Sequence, residues 1–72
     1  MEKVCVVGLG YIGLPTSAIF AAAGFDVVGV DINETVVATI NSGDINIEET
    51  GLAELVNKVV KEGKFRAQLA PE

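Results

Sequence analysis

The sequence predicts an α/β fold, a parallel sheet with elements in the order strand, helix, strand, helix, helix, strand. Three observations lead there. Short apolar runs rich in valine, Lys3–Val7 and residues 25–30, show no alternation with polar residues, as in strands flanked by helices on both faces. Segments of helical spacing, several closed by a glycine, separate the strand-like runs. Gly8, Gly10 and Gly13 stand where the first strand gives way to the first helix.

Each element has its own warrant. In the first strand Val4 and Val6 share one face and Cys5 and Val7 the other, so both faces are apolar and Cys5 reads as a small buried hydrophobe. The first helix, residues 14–23, offers Leu14, Ala18, Ala21 and Ala22 as a packing stripe. Pro15 falls in its early part and is expected to cost one helical hydrogen bond and bend it slightly, and Gly24 stops it. The second strand ends in Asp31. Asn33 caps a helix Glu34–Asn41 that carries Val36, Val37 and Ile40 on one face and ends at Gly43. Residues 44–51 alternate and read as a short strand or an ordered loop. A helix over residues 52–62 follows, with Leu52, Leu55, Val56, Val59 and Val60 at helical spacing. Lys58 and Lys61 suit its C-terminal dipole, and Gly63 closes it. Phe65–Leu69 is the third strand.

The strand, glycine turn and helix together point to a dinucleotide. The first glycine permits a backbone conformation closed to side chains, the second lets a pyrophosphate approach the main chain, and the third lets helix and strand pack closely. The first amides of the helix lack internal partners and lie at the positive end of its dipole, where Tyr11 and Ile12 contribute backbone N–H groups. Asp31 follows Gly13 by 18 residues, close to the ~20 at which an acid grips the ribose. A carboxylate there accepts from ribose hydroxyls and repels a 2′-phosphate, which favours NAD over NADP. The expected fold is thus a partial Rossmann domain, half of a doubly wound parallel sheet. The candidate cofactor site is Gly8, Gly10, Tyr11, Ile12, Gly13 and Asp31.

Composition narrows the rest. The 72 residues permit one small domain; a chain near this size buries only about 60% of its unfolded surface. With ten acidic against five basic residues and a net charge of −5, a nucleic-acid partner is not expected. No apolar run approaches the ~18 residues of a membrane span. There is no histidine and one cysteine, which excludes a Cys/His metal set. Met1-Glu2-Lys3 and the later Ala21-Ala22-Ala23 superficially suggest a secretory signal, but the start carries no net positive side-chain charge and the glycine motif argues against a targeting segment. A cytoplasmic, reducing setting is the expectation.

Gly8-Leu9-Gly10-Tyr11-Ile12-Gly13-Leu14-Pro15, Gly29-Val30-Asp31-Ile32-Asn33, Ile40-Asn41-Ser42-Gly43 and Glu49-Thr50-Gly51-Leu52 resemble the N-terminus of the UDP-glucose/GDP-mannose dehydrogenase family. Gly43-Asp44-Ile45-Asn46-Ile47-Glu48-Glu49 is similar to the loop of its branch that oxidises UDP-N-acetyl-D-mannosamine. The resemblance covers essentially the whole chain, as the opening part of a protein that runs to several hundred residues. It implies NAD as cofactor and oxidation of a nucleotide-sugar C6 alcohol to a carboxylate in two hydride transfers, through a cysteine-linked intermediate. It implies further that the catalytic cysteine, lysine and carboxylate and the sugar-binding domain lie beyond residue 72. No catalytic residue is then expected in this chain, and it is not expected to turn over alone. Many UDP-glucose dehydrogenases carry a basic residue five positions after the ribose acid. Val36 stands there, which counts against that branch.

Two other readings stay open. In the strand order 3-2-1-4 the first strand is central, so without a fourth strand its edge lies open; a homo-oligomer paired through residues 4–7 is expected on that ground. A flavin-binding half-domain uses the same turn.

Overall fold

A computed structural model describes residues 2–45, 47 and 49–70. Its elements run β1 (Lys3–Val7), α1 (Gly13–Ala22), β2 (Asp26–Asp31), α2 (Glu34–Asn41), α3 (Leu52–Lys61) and β3 (Phe65–Leu69). The three strands form one parallel sheet in the order β1-β2-β3. This is the expected α/β arrangement of a Rossmann half-sheet, with β1 left at an edge.

Register decides which residues meet the helices. Val4 pairs with Val27 and Val6 with Gly29; Val27 and Gly29 pair in turn with Phe65 and Ala67. These residues share one face, and their side chains pack with Leu14, Ala18 and Ala21 of α1, Ile40 of α2 and Leu52, Val56 and Val59 of α3. Cys5 pairs with Val28 and Val7 with Val30 on the opposite face, where Cys5 and Val7 are exposed. Covered faces on both sides of β1 are therefore not what this chain shows, and Cys5 is not buried. The physical reason is that both crossovers lay their helices on the same side of the sheet.

Helix α1 departs from expectation in two details. The stripe facing the sheet is Leu14, Ser17, Ala18 and Ala21, while Ala22 is exposed. Ser17 tolerates burial because its hydroxyl donates to the Gly13 carbonyl at 2.7 Å. Pro15 lies in the first turn, where its missing N–H removes no interior bond, and Leu14→Gly10 and Thr16→Ile12 backbone bonds form on either side of it. An edge-to-face contact of Phe20 with Phe25, ring centroids 5.6 Å apart, ties the end of α1 to the start of β2.

Asn33 caps α2 as expected, its side chain accepting from the Thr35 and Val36 amides. Beyond α2 the described residues of the alternating stretch form no strand. Ile45 and Ile47 turn inward onto the core; Asn46 and Glu48 lie outside the described residues. Asn41 closes the outer edge of β3: its side-chain amide donates to the Ala67 carbonyl and accepts from the Ala67 N–H, both at 2.8 Å. A single side chain thus substitutes for a neighbouring strand at that position.

Candidate dinucleotide-binding site

The glycine turn runs from the end of β1 to the start of α1, and its conformation follows from the three glycines and their surroundings. Gly8 has φ +88°, a left-handed backbone that side chains disfavour. Its N–H donates to the Val30 carbonyl at 2.7 Å, extending the β1–β2 ladder into the turn. A Cβ on Gly13 would run into the Gly8 carbonyl oxygen, so the helix meets the strand end at backbone-to-backbone distance. A Cβ on Gly10 would meet nothing within 4 Å; the space over Gly10 is open to a ligand, which fits the role expected of the second glycine.

At the start of α1, Ile12 occupies the cap position and supplies no side-chain hydrogen bond. Tyr11 and Ile12 point their side chains to solvent, 79% and 83% exposed. Among the described residues their amides make no bond of their own. Uncapped donors at the positive end of a helix suit an anion. A groove of about 530 Å³ opens here, lined by Val6, Gly8, Gly10, Tyr11, Ile12 and Gly13 among others.

Asp31 does not line that groove but is joined to it. One carboxylate oxygen, Oδ2, accepts the Leu9 amide at 2.9 Å, and Oδ1 accepts the Asn33 amide at 2.9 Å. The Leu9 bond foremost, and the Asn33 and Ile32 amides after it, hold the carboxyl below its ordinary range against a smaller opposing effect of burial. Asp31 is therefore an anion whose oxygens lie beside the turn, and each keeps lone-pair capacity for a further donor such as a ribose hydroxyl. Holding the turn and accepting from a sugar hydroxyl are therefore compatible in one carboxylate.

Two residues of this site escape a motif reading. Leu9, between the first two glycines, is 1% exposed and seats its isobutyl group over Gly29 of β2. A Cβ on Gly29 would collide with the Leu9 Cδ2 and lie 2.9 Å from Cδ1. The available signal was a glycine inside an otherwise β-branched strand, which marks a close approach of another group.

The residues 2–71 match the model of the UDP-glucose/GDP-mannose dehydrogenase family, NAD binding domain. The chain belongs to this family. Its cofactor is accordingly NAD. The similarity extends to single proteins: UDP-N-acetyl-D-mannosamine dehydrogenase of Campylobacter jejuni is 57% identical over 71 residues, which are 99% of this chain and 17% of that protein. Among solved structures, the UDP-N-acetyl-mannosamine dehydrogenase of Staphylococcus aureus superposes with a TM-score of 0.93 at 51% identity, covering 99% of this chain and 17% of that one. A UDP-glucose dehydrogenase of Pyrobaculum islandicum gives 0.90 at 34% identity, over 94% of this chain and 16% of that one. This member of the family thus spans about 17% of the length of the Campylobacter jejuni and Staphylococcus aureus relatives.

Proposed function

We propose that the chain is the N-terminal, NAD-holding part of a nucleotide-sugar 6-dehydrogenase. Gly8, Gly10, Gly13 and the Tyr11 and Ile12 amides take the pyrophosphate, and Asp31 takes the adenosine ribose. The observation that carries this reading is the uncapped start of α1 opening onto the free space over Gly10, with the Asp31 carboxylate held beside the same turn. NAD, when bound, supplies the hydride acceptor. What these residues do is bind and orient it, and the carboxylate excludes a 2′-phosphate by charge.

The substrate we propose is UDP-N-acetyl-D-mannosamine, oxidised at C6 from alcohol to carboxylate with two hydride transfers, in the cytoplasm and in the service of polysaccharide biosynthesis. The higher identity to enzymes of that name than to the UDP-glucose dehydrogenase supports this branch. Sugar binding and the covalent chemistry belong on this reading to further domains of a longer polypeptide, with no nucleic acid or membrane involved. Titration calorimetry of NAD into the chain tests the site. Binding that is lost in Asp31→Ala and Gly10→Val supports it, and binding that survives both refutes it. Turnover of NAD with a UDP-sugar by this chain alone would refute the placing of the chemistry elsewhere.

A second reading, self-association, is favoured by one observation: Val7, Tyr11 and Ile12 are all exposed, on β1 and the turn, beside the sheet edge that no strand covers among the described residues. A homo-oligomer through β1 would bury them. Light scattering over a range of concentrations tests it, and a monomer throughout refutes it.

A further inference from the structure

We propose that Asp31 and Leu9 form a latch that sets the phosphate-facing turn before any cofactor arrives, so that Asp31 is a positioning residue for the turn as well as a ribose acceptor. The inference rests on the nucleotide reading of the site.

Leu9 is held at two points. Its amide donates to Asp31 Oδ2 at 2.9 Å, across a separation of 22 residues. Its side chain is buried in the seat left by the missing Cβ of Gly29. The carboxylate is itself fixed, because Oδ1 accepts the Asn33 amide at the start of α2. Leu9 stands between Gly8 and Gly10 and is the only one of the three with a side chain to anchor the turn. The chain segment over which a pyrophosphate would lie therefore takes its position from β2 through both the backbone and the side chain of Leu9. Ribose hydroxyls approaching Asp31 find an acceptor that need not release the latch, since each oxygen has a second lone pair. A prepositioned turn binds its ligand without the ordering cost that a loose one bears.

The two roles of Asp31 separate by experiment. In the ligand-free chain, hydrogen exchange of the Leu9 amide is expected to quicken on the order of tenfold or more in Asp31→Ala, the scale of a hydrogen bond to a charged group. Val27, in the buried part of β2, reports global opening and serves as the internal reference. Asp31→Asn, which keeps one acceptor oxygen, should restore part of the protection. The second arm compares NAD with its analogue lacking the 2′ and 3′ hydroxyls of the adenosine ribose. A carboxylate that only grips the ribose leaves the analogue's affinity unchanged in Asp31→Ala; a latch makes it fall several-fold, as a coupling between ligand and variant. Leu9 exchange that matches the wild type in Asp31→Ala, or an unchanged analogue affinity, overturns the proposal. A wild-type chain that binds neither nucleotide refutes the site reading, and the exchange of Leu9 then judges the latch alone.

Discussion

Gly29→Ala is the substitution that most directly probes how the turn is held. The added methyl group enters the space of the Leu9 side chain, with Cδ1 at 2.9 Å and Cγ at 3.1 Å from the new carbon. Leu9 is 1% exposed, so its side chain has no free volume to move into and must distort the surrounding core or leave it. Overpacking of a closed core costs about 1–3 kcal/mol. Expulsion of a leucine forfeits about 1.5–3 kcal/mol of burial and endangers the Leu9–Asp31 bond as well. A loss of about 2–3 kcal/mol is therefore expected. For 72 residues total stability is on the order of 4–11 kcal/mol, so the loss is large. Urea denaturation followed by far-ultraviolet circular dichroism measures it, with an unchanged slope confirming that only stability has moved. Leu9→Ala empties the space and is itself destabilising by about 2–5 kcal/mol, but in its presence Gly29→Ala should cost little. A Gly29→Ala variant within about 0.5 kcal/mol of wild type, or two changes that simply add, would refute the packing argument.

Asn41→Leu removes both bonds to the buried Ala67 backbone and should cost about 1–3 kcal/mol, seen as a lower melting temperature; an unchanged one would show that the β3 edge is satisfied by water. Asn33→Ala deletes the cap of α2, worth about 1 kcal/mol, or roughly 4–8 °C in a domain of this size. Because the Leu9 and Asn33 amides depress the Asp31 carboxyl in the folded chain, their contribution is fully present above the unfolded value, ordinarily 3.8, and is lost as pH falls through the lower folded value. The stability advantage of wild type over Asp31→Asn should accordingly shrink in acid, and a pH-independent difference would contradict the assignment.

How much of this was legible in the sequence depended on the range of the physics involved. Strand β1, strand β3 and helix α2 are local matters: valine runs, an asparagine cap and a terminating glycine specify them without reference to the rest of the chain. The glycine turn and Asp31 were legible because each has a chemical reason to stand at its spacing. Layering was not. Apolar residues on both faces of β1 suggested two covering layers, yet which face receives helices depends on the crossovers, and Cys5 and Val7 fall on the bare side. The burial of Ser17 in place of Ala22 is a rotation of one helix about its axis, settled by packing against β2 and not by periodicity. Gly29 marks a close approach in the sequence but not that Leu9 makes it, and the contacts of Leu9 with Asp31 and of Asn41 with Ala67 have no local signature and needed the strands to be laid side by side.

On the proposed reading the glycine turn, the start of α1 and Asp31 hold the adenosine and pyrophosphate of NAD. Titration of NAD into the isotope-labelled chain, followed by amide chemical shifts, tests it most directly. The amides of residues 8–13 and of Asp31 should shift together and saturate, and NADP at the same concentration should move them far less. Shifts centred on another part of the molecule, or equal responses to NAD and NADP, would contradict it.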